Sequence, residues 1–322
     1  MPELRDDQFQ TFSQVHLDPE LSSVCAQGVL AAYADFDGQP VRLPPGFRAV
    51  AHFTGWDQIF FASGREERFG LVLQSVTEPS TYVVAFRGTS SLLDGYEDIW
   101  ATTVDFVPHH DDGHFPSDVA VASGFNSIYT TQGAPMAASM QKQLFRILDG
   151  LQDKPVTVAI CGHSLGGPLA NQFALDVAVS KPHIAVVNTT FASPRTGLGK
   201  WQGTYDHQYR LQGRTFRIAN YWDLIPTLPP EFLGYHHVGE QFLASFFVKD
   251  SYLPHYLSRH SMLNYQYVID RAVRSTPQVW TGKFPDAARP GWTMISTAPP
   301  TAQMPEWAQI QVQALQEVVE GL

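Results

Sequence analysis

The stretch from Val156 to Ala174 constrains this chain more than any other. It reads Val-Thr-Val-Ala-Ile-Cys, then Gly162-His163-Ser164-Leu165-Gly166-Gly167, then Pro168-Leu169-Ala170-Asn171-Gln172-Phe173-Ala174. The apolar, β-branched run predicts a buried strand, and the small-residue segment after the turn predicts a helix packed closely on a sheet. The Gly-X-Ser-X-Gly turn between them puts Ser164 on a strained strand-to-helix bend. Glycines on either side keep neighbouring bulk away from its Oγ.

Composition sets the frame for that turn. A chain of 322 residues is within the size that a single α/β domain reaches, and 44% hydrophobic with 12% aromatic content is ample for a large core. A net charge of -10 argues against a nucleic-acid partner, which demands clustered Lys and Arg, and against an anionic membrane held by electrostatics alone. Cys25 and Cys161 are far apart and read as buried free thiols, with no disulfide framework. Met1 to Gln10 is polar and lacks the apolar core of a signal peptide. The protein is therefore expected to be intracellular unless a secretion signal was removed ahead of this sequence. No apolar run reaches transmembrane length.

Taken in order, Asp18-Pro19-Glu20 opens a packing helix that runs from about Leu21 to Phe36, with Asp18 as N-cap. Gln39 to Trp56, with Pro40, Pro44 and Pro45, reads as a loop. Phe69 to Val76 and Tyr82 to Phe86 read as a hairpin around Thr77-Glu78-Pro79-Ser80. Phe125 to Leu151 reads as helix. His109-His110-Asp111-Asp112-Gly113-His114 has ligand chemistry but no regular spacing and sits among Pro108, Gly113 and Pro116, so it reads as a solvated loop and no metal is expected.

Five ordered stretches carry a resemblance. Phe86-Arg87-Gly88-Thr89 ends a strand, and Gly162-His163-Ser164-Leu165-Gly166-Gly167 follows. Phe191-Ala192-Ser193-Pro194-Arg195-Thr196-Gly197, Asn220 through Pro226, and Tyr235-His236-His237-Val238-Gly239 complete the series. Together they resemble the class 3, or fungal-type, lipases over about Phe69 to Tyr265. The resemblance implies an α/β-hydrolase fold, a central, mostly parallel sheet flanked by helices. It also implies carboxylic ester hydrolysis by a serine, without cofactor or metal. Two departures stand out: Gly95 replaces a usual Trp, and Ala122 replaces the His of a Val-His-X-Gly-Phe pattern.

Acyl transfer at a serine needs donors where charge develops on the carbonyl oxygen. Thr89, after a flexible Gly88, can supply an N–H and a hydroxyl, and Leu165 N–H stands at a helix N-terminus next to the serine. The resemblance implies the same two positions; the alternative for Thr89 is a helix cap. Ser90 to Trp100 has Leu92, Leu93, Tyr96, Ile99 and Trp100 on one face. In the resembled family a lid occupies this place, although Gly95 costs such a helix about 1 kcal/mol relative to Ala. The alternative is a surface helix whose apolar face stays buried.

A serine also needs a His to take its proton and a carboxylate to orient that His, and in α/β-hydrolases the chain order is Ser, Asp, His. Asp223 follows the strand-like Thr215 to Tyr221 and precedes the breaker Pro226, whereas Asp176 falls in the helix after the turn and is expected to point away. His260, before an apolar helical stretch with Tyr265, is the expected base and His255 the alternative; both assignments of Asp223 and His260 agree with the resemblance. His237 reads as a hydrogen-bonded structural residue and His163 as no acid–base partner. Residues 1–275 are expected to form the hydrolase domain. Residues 276–322 are then a Pro- and Trp-containing extension packed on it, closing with a helix from Glu306 to Leu322. The expected activity is that of a triacylglycerol lipase working on an ester or lipid at a lipid–water interface. Feruloyl esterase and phospholipase A1 are alternatives on the same scaffold, and a catalytically silent lipid-binding module is the alternative from another class.

Overall fold

The computed structural model describes residues 17–59, 61, 63–89, 99–220, 223–244, 247–249, 259–274 and 293–295. Helix α1 (Pro19–Phe36) starts as its sequence dictates: the Asp18 carboxylate accepts from Glu20 N at 2.9 Å and Leu21 N at 3.2 Å. Strands β1 (Phe47–Asp57), β2 (Arg65–Ser75) and β3 (Thr81–Phe86) follow as an antiparallel set, and Thr81 N donates to Glu78 O to close the β2–β3 hairpin. Short β4 (Thr103–Asp105) and β5 (Ala120–Ala122) lead to α2 (Ser123–Thr130) and α3 (Met140–Gly150). Then come β6 (Thr157–His163), α4 (Gly166–Ser180), β7 (Ala185–Phe191), β8 (Gly197–Leu198), α5 (Gly199–Gly203) and β9 (Thr215–Asn220). The described elements end with β10 (Tyr235–His236), β11 (Glu240–Ala244), β12 (Phe247–Lys249), α6 (Met262–Arg274) and β13 (Thr293–Ile295).

The main sheet runs β1-β2-β3-β6-β7-β9-β11, parallel from β3 onward. Both faces are covered, which explains why its central strands read as unbroken apolar runs. Alternation assigns the sides. Tyr82, Val84, Phe86, Val158 and Ile160 pack toward α2, α3 and α4, whereas Val83, Ala85, Ala159 and Cys161 pack toward α1 and α6. Cys25 and Cys161 are both free and fully buried on the second side, with the Cys161 thiol 3.5 Å from Cys25 O. A four-stranded sheet, β10-β8-β5-β4, lies apart from the main one, and β12 pairs with β13.

Two sequence expectations are corrected. Gln39 to Trp56 is not all loop: the prolines confine irregular backbone to its first part, and Phe47–Asp57 pairs with β2 along its whole length, with two register shifts. The helix expected from Phe125 to Leu151 is two helices. Gly133 and Pro135 interrupt the period, since a proline has no N–H to give the preceding turn, and Ser139 restarts the helix by accepting from Lys142 N. Ser90 to Asp98, His255, residues 275–292 and 296–322, and with them the helix expected from Glu306 to Leu322, lie outside the described residues.

Asp176 sits inside the α2–α4 side of the core, fully buried. It accepts from His109 N, Tyr129 Oη, Gln141 Nε2 and Ser180 Oγ. Burial nevertheless pushes its carboxyl up to about 6, with those donors opposing. The fold therefore holds the proton more tightly than the unfolded chain does, and stability present below about pH 4 is lost as pH rises through 6. Relative to Asp176→Asn, which does not titrate, the wild type is expected to lose on the order of 3 kcal/mol over that window, read from denaturant melts at each pH.

Candidate active site

The bend between β6 and α4 has the strain its glycines imply. Ser164 adopts φ 55, a left-handed conformation unusual for a side-chain-bearing residue, and is fully buried. A Cβ on Gly162 would lie 2.0 Å from Gly166 O, so no other residue fits there. Ser164 N donates to Phe191 O at 3.0 Å and Gly167 N to Ser164 O at 2.8 Å, which pins the bend to β7 on one side and to the first turn of α4 on the other. Leu165 is the N-cap residue of α4, placing its N–H at the positive end of the helix dipole.

Asp223 and His260 meet although they are distant in the chain. His260 Nδ1 lies 2.7 Å from Asp223 Oδ2, and both side chains are almost completely buried. A carboxylate accepts, so Nδ1 carries the proton and Nε2 is the bare, basic nitrogen. That nitrogen is buried without a hydrogen-bond partner among the described residues. Tyr265 Oη donates to Asp223 Oδ2 at 3.0 Å and accepts from Asn220 N at 2.7 Å, while Ile225 N donates to Asp223 Oδ1 at 3.1 Å. Three donors thus hold this buried carboxylate in place. The Tyr265 hydroxyl is pushed well up by burial and by the Asp223 charge, which keeps it a donor.

The Thr89 strand end is tethered from beneath. Arg87 is buried under it, with Nη2 2.8 Å from Glu67 Oε2, Nε 2.7 Å from Arg68 O, and its guanidinium 3.5 Å from the Phe36 ring centroid. A Cβ on Gly88 would stand 2.8 Å from Ser164 Cβ, so the residue before Thr89 lies directly against the strained serine. His163 is not idle: it bonds Tyr33 Oη through Nδ1 and His260 O through Nε2, and its ring centroid is 4.7 Å from that of His260. His237 is structural, bonded to Pro226 O at 2.6 Å.

Sequence reasoning takes Tyr33 for a packing residue and assigns nothing to Tyr265 or Arg87. The available signal is general: a tyrosine or arginine in an otherwise apolar pattern needs a polar partner when it is buried. Among the described residues no cluster of three or more His, Cys, Asp or Glu is placed to hold a metal, and His109 stacks on Phe145 at 4.1 Å. Among the same residues no helix is long and apolar enough to cross a membrane.

The family model described as Lipase (class 3) matches residues 83–233. A curated relative, Phospholipase A1-II 2 of Oryza sativa subsp. indica, is 31% identical over 55% of this chain and 47% of its own length. Secreted mono- and diacylglycerol lipase LIP4 of Malassezia restricta is 29% identical over 61% of this chain and 62% of its own. The chain thus spans about half to three fifths of these relatives. Among solved structures, Lip2 lipase from Yarrowia lipolytica superposes with a TM-score of 0.55 at 20% identity, covering 71% of this chain and 80% of the other. A lipase from Rhizopus microsporus var. chinensis gives 0.53 at 22%, covering 76% and 81%. These two likenesses show the α/β-hydrolase fold.

Proposed function

We propose that this chain, whose residues 83–233 match the class 3 lipase family model, hydrolyses carboxylic esters of lipids through an acyl-enzyme formed on Ser164. The observation that carries this reading is the buried His260–Asp223 pair, which leaves His260 Nε2 bare beside the turn that strains Ser164. In the reaction His260 Nε2 takes the Ser164 proton as Oγ adds to the ester carbonyl. The ring then returns that proton to the departing alcohol oxygen as the tetrahedral adduct collapses. Water repeats the sequence on the acyl-enzyme: His260 deprotonates it, the carboxylic acid leaves, and Ser164 regains its proton. Asp223 holds the ring in the required tautomer and balances the imidazolium. Thr89 and Leu165 receive the oxyanion, the second through an N–H at a helix N-terminus. No step calls for a cofactor.

An acylglycerol is the first substrate reading. Phospholipase A1 activity is the second, favoured by the curated relatives that bear that name. Hydrolysis rates on p-nitrophenyl esters of graded chain length, feruloyl methyl ester, a triglyceride emulsion and phosphatidylcholine vesicles separate them. Preference for short soluble esters, with no gain at an interface, defeats the lipase assignment. Thr89→Val keeps the backbone N–H and removes the hydroxyl. A fall in kcat of about a hundredfold with KM unchanged is expected, measured on a soluble ester. Unchanged kcat removes the hydroxyl from the oxyanion site.

A further inference from the structure

Three hydrogen bonds besides those of the His260–Asp223 side-chain pair form a continuous path through the site. Gly88 N lies 2.9 Å from Tyr33 Oη, Tyr33 Oη 2.8 Å from His163 Nδ1, and His163 Nε2 2.8 Å from His260 O. One fixed end determines every proton on this path. The His260 carbonyl can only accept, so His163 Nε2 carries hydrogen. Burial holds the His163 imidazole well below its ordinary range, so the ring is neutral and Nδ1 is bare. Tyr33 must then donate to Nδ1, and its oxygen accepts the Gly88 N–H. Burial pushes the Tyr33 hydroxyl up, so it retains the proton this role demands.

The two ends of the path are the places the proposed chemistry has to register. Gly88 immediately precedes Thr89, and a Cβ on it would lie 2.5 Å from Tyr33 Oη and 2.8 Å from Ser164 Cβ. The other end holds the main chain of His260. Resting on the assignment of Ser164, His260 and Asp223 as the reacting set, we infer that Tyr33, acting through His163, is a positioning residue. It fixes the oxyanion strand end and the His260 backbone against the nucleophile as one unit. Tyr33 stands on α1, ahead of the residues 83–233 that the family model matches, so the site draws on a helix beyond that segment.

The nature of the partner matters as well as its position. The His163 and His260 rings lie 4.7 Å apart, and His260 must become cationic during acyl transfer. A carboxylate in place of the Tyr33 hydroxyl would draw a second proton onto His163 and set a like charge against that imidazolium. A hydroxyl fills the Nδ1 acceptor and leaves the ring neutral.

Tyr33→Phe keeps the ring that meets His163 edge-on at 5.9 Å and deletes the hydroxyl. On a soluble p-nitrophenyl ester, with active sites counted by a fluorophosphonate, kcat per site is expected to fall about thirtyfold while KM stays within about twofold. His163→Ala, the second variant should Tyr33→Phe fail to fold, is expected to lose a similar factor. The double variant should be no slower than the slower single, because both residues act along one path. Two results overturn the inference: kcat per titrated site within about twofold of wild type in either single variant, or losses that multiply in the double. A merely structural Tyr33 would lower Tm and the number of titratable sites and leave kcat per site unchanged. Failure of the underlying function is distinguishable, since Ser164→Ala would then hydrolyse the ester as fast as wild type.

Discussion

Ser164→Ala is expected to lower kcat on a soluble ester by about a millionfold and to abolish covalent labelling by a fluorophosphonate. The change is confined to Oγ. Both backbone bonds that hold the bend, Ser164 N to Phe191 O and Gly167 N to Ser164 O, survive it, and alanine meets the same left-handed strain at φ 55 that serine does. The melting temperature should therefore stay close to that of the wild type, so the lost rate cannot be ascribed to unfolding. Binding and the proposed oxyanion donors, Thr89 and Leu165, are untouched by the change, and a residual rate above that of water is expected from them alone. A variant that hydrolyses as fast as wild type refutes the acyl-enzyme and leaves a lipid-binding module as the reading of this fold.

Asp223→Asn is expected to cost about ten-thousandfold in kcat with little change in KM, through the tautomer of His260. The local geometry says why. Ile225 N–H approaches one carboxylate oxygen at 3.1 Å, so an asparagine turns its carbonyl toward that donor. Its amide nitrogen then occupies the Oδ2 position, 2.7 Å from His260 Nδ1 and 3.0 Å from Tyr265 Oη. An amide N–H can only donate, so Nδ1 must accept and the ring proton moves to Nε2, the nitrogen that has to be bare. Tyr265 also loses its acceptor and must turn or go unsatisfied. Loss of rate that tracks loss of folded protein, site for site, would show a structural role for Asp223 instead.

Much of this architecture is legible in local pattern. The strand, bend and helix from Val156 to Ala174 are written in a β-branched run, two glycines and a small-residue stretch, each of which acts over a few residues. The N-cap at Asp18 and the hairpin between β2 and β3 are legible for the same reason. Legibility fails where context outweighs local signal. Phe47–Asp57 has a mixed exposure pattern and becomes a strand because β2 offers it a continuous row of partners. The single helix expected over Phe125 to Leu151 is two, Ser123–Thr130 and Met140–Gly150, because the apolar residues on both sides share a helical period that masks the break at Gly133 and Pro135.

Ser164 is legible from its own neighbours in the chain, since Gly162 and Gly166 mark the bend, although the contacts that hold it, to Phe191 O and the Arg87–Gly88 strand end, are tertiary. Chain order removes only His183 and His207 as the proposed base; the strand end before Asp223, the breaker Pro226, the helical stretch after His260 and the family resemblance point to Asp223 and His260, with His255 as alternative. Their meeting is a property of the folded sheet, where the loop after β9 and the start of α6 arrive at one end. The roles of Tyr33, His163 and Tyr265 were decided by tertiary structure alone. A hydroxyl or an imidazole carries no mark of its partner in the sequence. Its hydrogen-bond direction is set only when burial removes water and leaves a carbonyl, a carboxylate or a backbone N–H as the group within reach.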